Sequence, residues 1–415
     1  MRGRASGALI CLSVGTFVVL VQFALWSISE PELLFSDFYK AYYPAGQALL
    51  RDGPRQTWAL GEDASLAFVN LPILGYLFVP LALFERPTAG FLYLGIGATA
   101  VVAMALLLAR WLQLRAREFA VLVALFAANG PLVNSLREGN TTHIVGLILV
   151  VSLICNCSGR QFLAGVLLGF CTVVKLPLML FCAYYVATQR WRIAVGAILA
   201  ISVLGLASVL VFGSEVNIGW YDKCVAPFLT GVVGAFNVQS IDAFLLRLVT
   251  GTTLLWDWEP VEVSLGHRIA RYLMVGAILA GVLFLMWRAN RLRQPSLESD
   301  RTALTGLEFV LVLSVALVVS PLSWVHYYLF LLLPAALGVG GRLLANGDEK
   351  GGRWLIFGGL TLASMPVAIP DLEDSALGAI VARTAISAWL FGGLLIIAGL
   401  MRAAWLGLNR SGSCN

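Results

Sequence analysis

The chain has 415 residues, of which 59% are hydrophobic and only 12% charged, and its formal net charge is +5. Soluble domains carry about 25% charged residues, and a soluble protein of this size could not bury so much apolar surface. These figures exclude an ordinary soluble enzyme, and so small a positive charge suits loop anchoring at a membrane better than nucleic-acid binding.

The predicted fold class is all-α, a polytopic transmembrane helix bundle. Long apolar runs without alternation do not suit a barrel. "MRGRAS" opens an apolar run too long for a signal-peptide core, and it reads as an uncleaved first span with Arg2 and Arg4 in the cytoplasm. Further runs fall near 66–84, 90–110, 118–134, 141–156, 161–187, 192–212, 270–288, 304–320, 326–344, 354–370 and 383–406. At about 20 residues per crossing this gives about twelve helices. Pro72, Pro80 and Pro177 interrupt two of the runs, which are expected to be broken or re-entrant.

Loop charges orient the chain. The basic stretches 188–192, 288–301 and 342–353 belong in the cytoplasm. Residues 29–65 and 213–268 then form two long outer loops, on the same side as "SPLSWVH" (320–326) and "PDLEDS" (370–375). The basic "RWLQLRARE" (110–118) falls outside in this count, against the same tendency, so the topology between residues 66 and 190 stays open.

Polar groups in or near hydrocarbon are functional candidates. The first outer loop begins "SDFYKAYYPAGQ" (36–47), where Asp37 stands among aromatic residues. Asp37 can cap a short helix, or it can be a reactive carboxylate. Lys175, in "CTVVKLP", needs an anionic partner or a route to the interface, and one such partner is a lipid-linked phosphate. His326 follows "SPLSW" beside Trp324, Tyr327 and Tyr328, where it suits an aromatic belt or a hydrogen bond to phosphate. "FNVQS" (236–240) and "REGNTTH" (137–143) complete the set. No Walker motif, dinucleotide fingerprint or nucleophile elbow is present, and three scattered histidines do not make a metal cluster.

These elements together resemble glycosyltransferase family 87, mannosyltransferase-like membrane proteins of the GT-C structural class that use polyprenol-phosphate sugars. The resemblance runs in order through "SDFYKAYYPAGQALL", Gly53, "FVNLPILGYLFVPLALF", a Gly-Gln-type turn, "AGVLLGFCTVVKLP", an Asn-Gln-Ser element and "SPLSWVHYYLFLLLPA". It departs at Gly139-Asn140, where the family has Gly-Gln, and at Asn237-Val238-Gln239-Ser240. It also departs at Leu176, between the lysine and the proline, and at Tyr327.

The resemblance implies a single GT-C-like membrane domain over residues 1–415, in the plasma or inner membrane, with its active site outside. It implies transfer of a sugar, mannose, from a polyprenyl-phosphate donor to an acceptor hydroxyl on a glycolipid or glycan. Inversion is expected, with no metal or other cofactor. Asp37 is carried over as catalytic base. His326, Lys175 and Arg247 are the expected donor-phosphate ligands, and Tyr39, Tyr42, Asn237, Gln239, Ser240 and Trp324 the expected substrate-binding residues. Asp242 and Asp257 are of the type a retaining enzyme would need as nucleophile. A transporter or flippase of lipid-linked sugars is the alternative reading.

Overall fold

The computed structural model describes residues 2–57, 68–291, 298–343, 350–365 and 376–411. The "PDLEDS" stretch, residues 58–65 of the first loop and parts of the basic segments at 288–301 and 342–353 lie outside the described residues. Among those described, the structure is helical, with two isolated antiparallel bridges.

The expected membrane bundle is present, but about twelve uninterrupted spans are not. Five described helices are long and apolar enough to cross a bilayer: Arg86–Trp111, Trp191–Phe212, Leu265–Arg288, Thr302–Val319 and Ala376–Leu406. Ala116–Ala127 and Gly130–Arg137 make a sixth if the pair, bent by 55°, is taken as one span. Among the remaining runs, Arg2–Ser29, Thr142–Cys157 and Lys350–Ser364 are continuous helices, and the others are broken. The run at 161–187 becomes Gln161–Val174 and Met179–Ala187, separated by Lys175 and the 3-10 turn Leu176–Leu178. Pro177 supplies the break, since it has no N–H and its ring clashes with the preceding turn. Residues 72–82 and 325–339 likewise divide between 3-10 turns and short helices.

The described parts of the two long loops are themselves largely helical. The first contains the turn Phe38–Tyr42 and the helix Tyr43–Thr57, and the second contains Ser214–Cys224, Ala226–Thr230 and Ile241–Thr250. Trp191–Phe212 and Leu265–Arg288 expose most of their apolar surface, as helices facing lipid should, whereas Thr302–Val319 is mostly buried.

The chain divides into two compact units. One comprises residues 1–107, 132–155 and 160–229, and the other residues 108–131, 156–159 and 230–415. In the first unit, Gln161–Val174 packs closely on Trp191–Phe212. Methyl groups added at Gly165, Gly169 and Gly196 would strike the facing main chain at Ile193, Ala197 and Phe162. Small residues let membrane helices approach in this way when burial of apolar surface cannot drive them together. In the second unit, Gly359 and Gly392 face each other across the helices Lys350–Ser364 and Ala388–Ser411.

This close approach can be tested. Gly196→Ala should destabilise the protein by about 1–3 kcal/mol through overpacking, seen as a lower thermal midpoint in detergent. Gly205→Ala on the same helix, where a methyl group meets nothing within 4 Å, should be neutral. Equal midpoints for the two variants would refute the close packing.

Candidate active site

The helix Gly130–Arg137 ends at a glycine turn. Gly139 has φ +67°, its N–H donates to the Leu136 carbonyl at 3.2 Å, and the Asn140 N–H donates to the Ser135 carbonyl at 2.9 Å. These paired bonds form a Schellman motif, in which a left-handed residue after the last turn is usually glycine. A Cβ on Gly139 would also lie 2.7 Å from the Phe38 Cβ. The turn therefore needs glycine twice, for its backbone angle and for the approach of the first long loop.

That loop caps the same helix end. The Phe35 N–H donates to the Arg137 carbonyl at 2.7 Å, and the N–H groups of Asp37 and Phe38 donate to the Glu138 carbonyl at 2.9 and 3.2 Å. Carbonyls left over at a helix C-terminus are thus satisfied by another segment's main chain. Phe35 takes φ +56°, uncommon for a bulky side chain, while its buried ring packs edge-on against Tyr39 and Phe91.

The result places Asp37 beside Asn140. The Asn140 Nδ2 donates to Asp37 Oδ2 at 2.6 Å. The Asn140 Oδ1 accepts from Lys175 Nζ at 3.0 Å, from the Thr142 N–H at 3.0 Å and from the Thr142 hydroxyl at 2.6 Å. Three donors meet the oxygen and a carboxylate meets the nitrogen, so the amide has one sensible orientation. Lys175 reaches this point because the chain is extended there, between two helix fragments. Its side chain is buried, as is Asn140.

Asp37 makes no capping bond, so the capping reading falls. The carboxylate is half-buried, and desolvation raises its pKa above the usual value, outweighing the opposing effects of the Asn140 hydrogen bond and the charges of Lys175 and Lys40. A second carboxylate, Glu138, lies in the candidate stretch "REGNTTH", where sequence reasoning assigned it no role of its own. An oxygen of Glu138 lies within 4.8 Å of one of Asp37. Burial, and then the charge of Asp37, push the Glu138 pKa up. Tyr42 is buried and stacks on Phe78 at 4.7 Å, whereas Tyr39 is less enclosed and carries the Arg86 guanidinium over its ring at 4.4 Å.

The other expected site residues lie in the second unit, where "FNVQS" pairs with "SPLSW". Val238 and Trp324 form an antiparallel bridge. The Gln239 N–H donates to the Ser323 carbonyl at 2.6 Å, and the Val325 N–H to the Asn237 carbonyl at 2.9 Å. Ser240 caps the helix Ile241–Thr250 by accepting from the Ala243 N–H at 3.1 Å, and its hydroxyl donates to the Pro321 carbonyl. The Gln239 side-chain amide donates to the carbonyls of Phe236 and Ile386. Arg247 is fully buried and donates to the carbonyls of Gly234, Ala235 and Val238 and to the Ser387 hydroxyl. Its pKa is depressed to about 10 by burial.

Asn237 and Trp324 are half-buried. His326 is 8% exposed and packs edge-on against Tyr327. Tyr327 and Tyr328 are buried and do not form the expected aromatic belt. Asp242 is also buried, paired with His267 at 3.3 Å and Arg271 at 3.2 Å. The structure thus gathers Asp37, Lys175, Tyr39 and Tyr42 in one unit and Asn237, Gln239, Ser240, Arg247, Trp324 and His326 in the other.

A helical membrane protein with a desolvated carboxylate bonded to a bridging amide fits acid–base chemistry at a bilayer surface. The sequence model of glycosyltransferase family 87 matches residues 68–321, and the chain belongs to that family. Asn140, Lys175 and Arg247 lie inside the matched stretch; Asp37, Trp324 and His326 lie outside it. The chain is 27% identical over 365 residues, 85% of its length and 79% of the relative's, to a Mycolicibacterium smegmatis protein. That protein is named as a polyprenol-phosphate-mannose-dependent alpha-(1-2)-phosphatidylinositol pentamannoside mannosyltransferase. The chain is also 26% identical over 293 residues to the Mycobacterium tuberculosis polyprenol-phosphate-mannose-dependent alpha-(1-2)-phosphatidylinositol mannoside mannosyltransferase. This second match covers 66% of this chain and 62% of that relative, less than two thirds of its length. No solved structure matches the chain.

The Asn140 bridge yields a pH test. Asp37 must be deprotonated to act as a base, so activity falls as pH drops through its raised pKa. Asn140 and Lys175 both lower that pKa. Asn140→Ala should therefore move the acid limb of kcat/KM to higher pH, and Lys175→Met should move it the same way. A limb that stays in place in both variants would separate Asp37 from this chain of bonds.

Proposed function

We propose that the protein transfers mannose from polyprenyl-phosphate-mannose to a hydroxyl of a glycolipid acceptor at the outer face of the plasma or inner membrane. The Asp37–Asn140–Lys175 chain carries this reading, in a family 87 member whose relatives bear the names given above. The family assignment weighs against a transporter or flippase.

Asp37 accepts the proton of the acceptor hydroxyl as its oxygen bonds to the anomeric carbon. The bond from that carbon to the phosphate oxygen breaks, and the phosphate leaves with the electron pair. Lys175 holds the phosphate, where charge builds up, and His326 is a phosphate-ligand candidate within its own unit. We assign Arg247, Gln239 and Ser240 to shaping the loop that presents Asn237 and Trp324 to substrate, given their bonds to main-chain carbonyls. Tyr39 offers the sugar an aromatic face.

Inversion in a single displacement, without a metal, is part of this reading. Asp242 is held by His267 and Arg271. Glu138 stands close to Asp37, but its raised pKa keeps the proton on and makes it a poor nucleophile. The GT-C architecture and the outward-facing site are likewise proposed, the latter from the basic segments at 188–192 and 288–301.

Asp37→Asn should lower turnover by about 10²–10⁴-fold, the usual range for a general base, with donor binding retained. The assay follows label from polyprenyl-phosphate-[¹⁴C]mannose into a phosphatidylinositol-mannoside fraction. Unchanged turnover would remove Asp37 from the chemistry. Lys175→Met and His326→Ala should each raise the apparent donor constant roughly tenfold, as loss of a charge-assisted hydrogen bond implies. Sidedness has a separate test. Cysteines placed at Asp52 and Thr230, in a background lacking the native cysteines, should react with an impermeant maleimide on intact cells. Reaction only after lysis would put both loops inside and contradict the proposed topology.

A further inference from the structure

The second outer loop carries an aromatic cluster with no role in the chemistry above. Trp256 is 61% exposed and Trp258 44% exposed. Phe236 meets both, at 4.8 and 6.3 Å between ring centroids. Two such tryptophans in water are unusual unless they meet a partner.

The cluster is fixed in place. Val232 and Val261 exchange backbone bonds at 3.0 Å, and the Phe236 N–H donates to the Leu255 carbonyl at 3.0 Å. Phe236 packs on buried Leu255 and Ile386. The Trp258 Nε1–H donates to Asn237 Oδ1 at 2.9 Å. Asn237 in turn accepts from the Val325 N–H, next to Trp324 and His326. Trp258 is therefore tied by one hydrogen bond to Asn237, whose main chain is paired with the "SPLSWVH" segment.

The surrounding charge selects among partners. Residues 248–267 contain Asp257, Glu259 and Glu262 and no lysine or arginine, while Arg383 donates to the Leu248 carbonyl and Arg268 follows the stretch. Interfacial anchors usually combine aromatic with basic residues, and anionic lipid repels an acidic loop. A neutral, hydroxyl-rich ligand suits both features. Aromatic faces cover the apolar C–H face of a pyranose, and carboxylates accept hydrogen bonds from its hydroxyl groups.

We propose that Trp256, Trp258 and Phe236, rimmed by Asp257 and Glu259, form a binding subsite for a neutral hexose unit of the acceptor glycan. This rests on the mannosyl-transfer reading and adds the part of the acceptor the enzyme holds. The subsite binds acceptor and leaves the donor alone.

The test measures separate acceptor and donor constants for wild type, Trp256→Ala and Trp256→Phe in detergent, with a phosphatidylinositol-mannoside acceptor and polyprenyl-phosphate-mannose as donor. Trp256→Ala should raise the acceptor KM by roughly five- to tenfold, in line with one lost aromatic contact. The donor constant and kcat at saturating acceptor should not change, and Trp256→Phe should keep most of the affinity. A merely structural tryptophan would lower kcat or active-enzyme yield without this split. A defect in both constants that appears in phosphatidylglycerol proteoliposomes and vanishes in detergent would mark a membrane anchor and overturn the proposal. An active wild type with unchanged variants removes the subsite alone, whereas a wild type that transfers no mannose removes the activity and the subsite together.

Discussion

Lys175 is an ammonium buried in a chain that is mostly hydrocarbon, and the first unit is arranged around satisfying it. A charge taken out of water must find polar partners or lose its proton. Asn140 links the two, accepting from Lys175 at one end and donating to Asp37 at the other. The intervening amide matters chemically. A direct ammonium–carboxylate pair would pull the Asp37 pKa down and make it a weak base. Set one residue apart, Lys175 lowers that pKa only in part, and desolvation keeps it raised. The carboxylate keeps a raised pKa, while the lysine keeps a polar partner.

The polar residues of the second unit solve a different problem. Gln239, Ser240 and Arg247 are buried, and their side chains bond mainly to main-chain groups of irregular segments. Such segments have no ladder or helix of their own, so each buried carbonyl needs a donor. Arg247 alone serves three of them. Removing it would leave those carbonyls buried and short of donors, which is costlier than losing the bonds themselves. The polarity that marks these residues in an apolar sequence is what holds the loop in shape, and it leaves Asn237 and Trp324 half-exposed.

Much of this was legible in the sequence for identifiable reasons. Composition demanded membrane helices. Pro177 predicted the break at Lys175, and the isolated carboxylate marked Asp37. The Gly-Asn turn was noticed, but nothing local said that Asn140 would bridge Asp37 and Lys175, 103 and 35 residues away. Glu138 was hidden for the same reason, since its approach to Asp37 depends on backbone bonds between distant segments. The count of about twelve spans is not confirmed among the described residues, because hydropathy registers apolar length and not continuity. A run interrupted by proline or by a 3-10 turn scores like an unbroken helix. Tyr327 and Tyr328 suggested an interfacial belt because tyrosine is common there, yet the Tyr328 hydroxyl donates to the buried Gln239 carbonyl at 2.6 Å.

The breaks that spoiled the count also make the site possible. A continuous helix satisfies nearly all its backbone groups internally and offers other segments little to bind. Where the helix stops at Arg137, the carbonyls of Arg137 and Glu138 become free to accept from residues 35, 37 and 38. Where the helix stops at Val174, the chain turns extended and Lys175 can reach Asn140. Irregular backbone at such depth is tolerable only where protein or a polar cavity surrounds it. Interrupted helices are thus the way an apolar chain brings a carboxylate, an amide and an ammonium to one point. In such a sequence, a proline or glycine beside a lone charge is a better guide to the site than the charge alone.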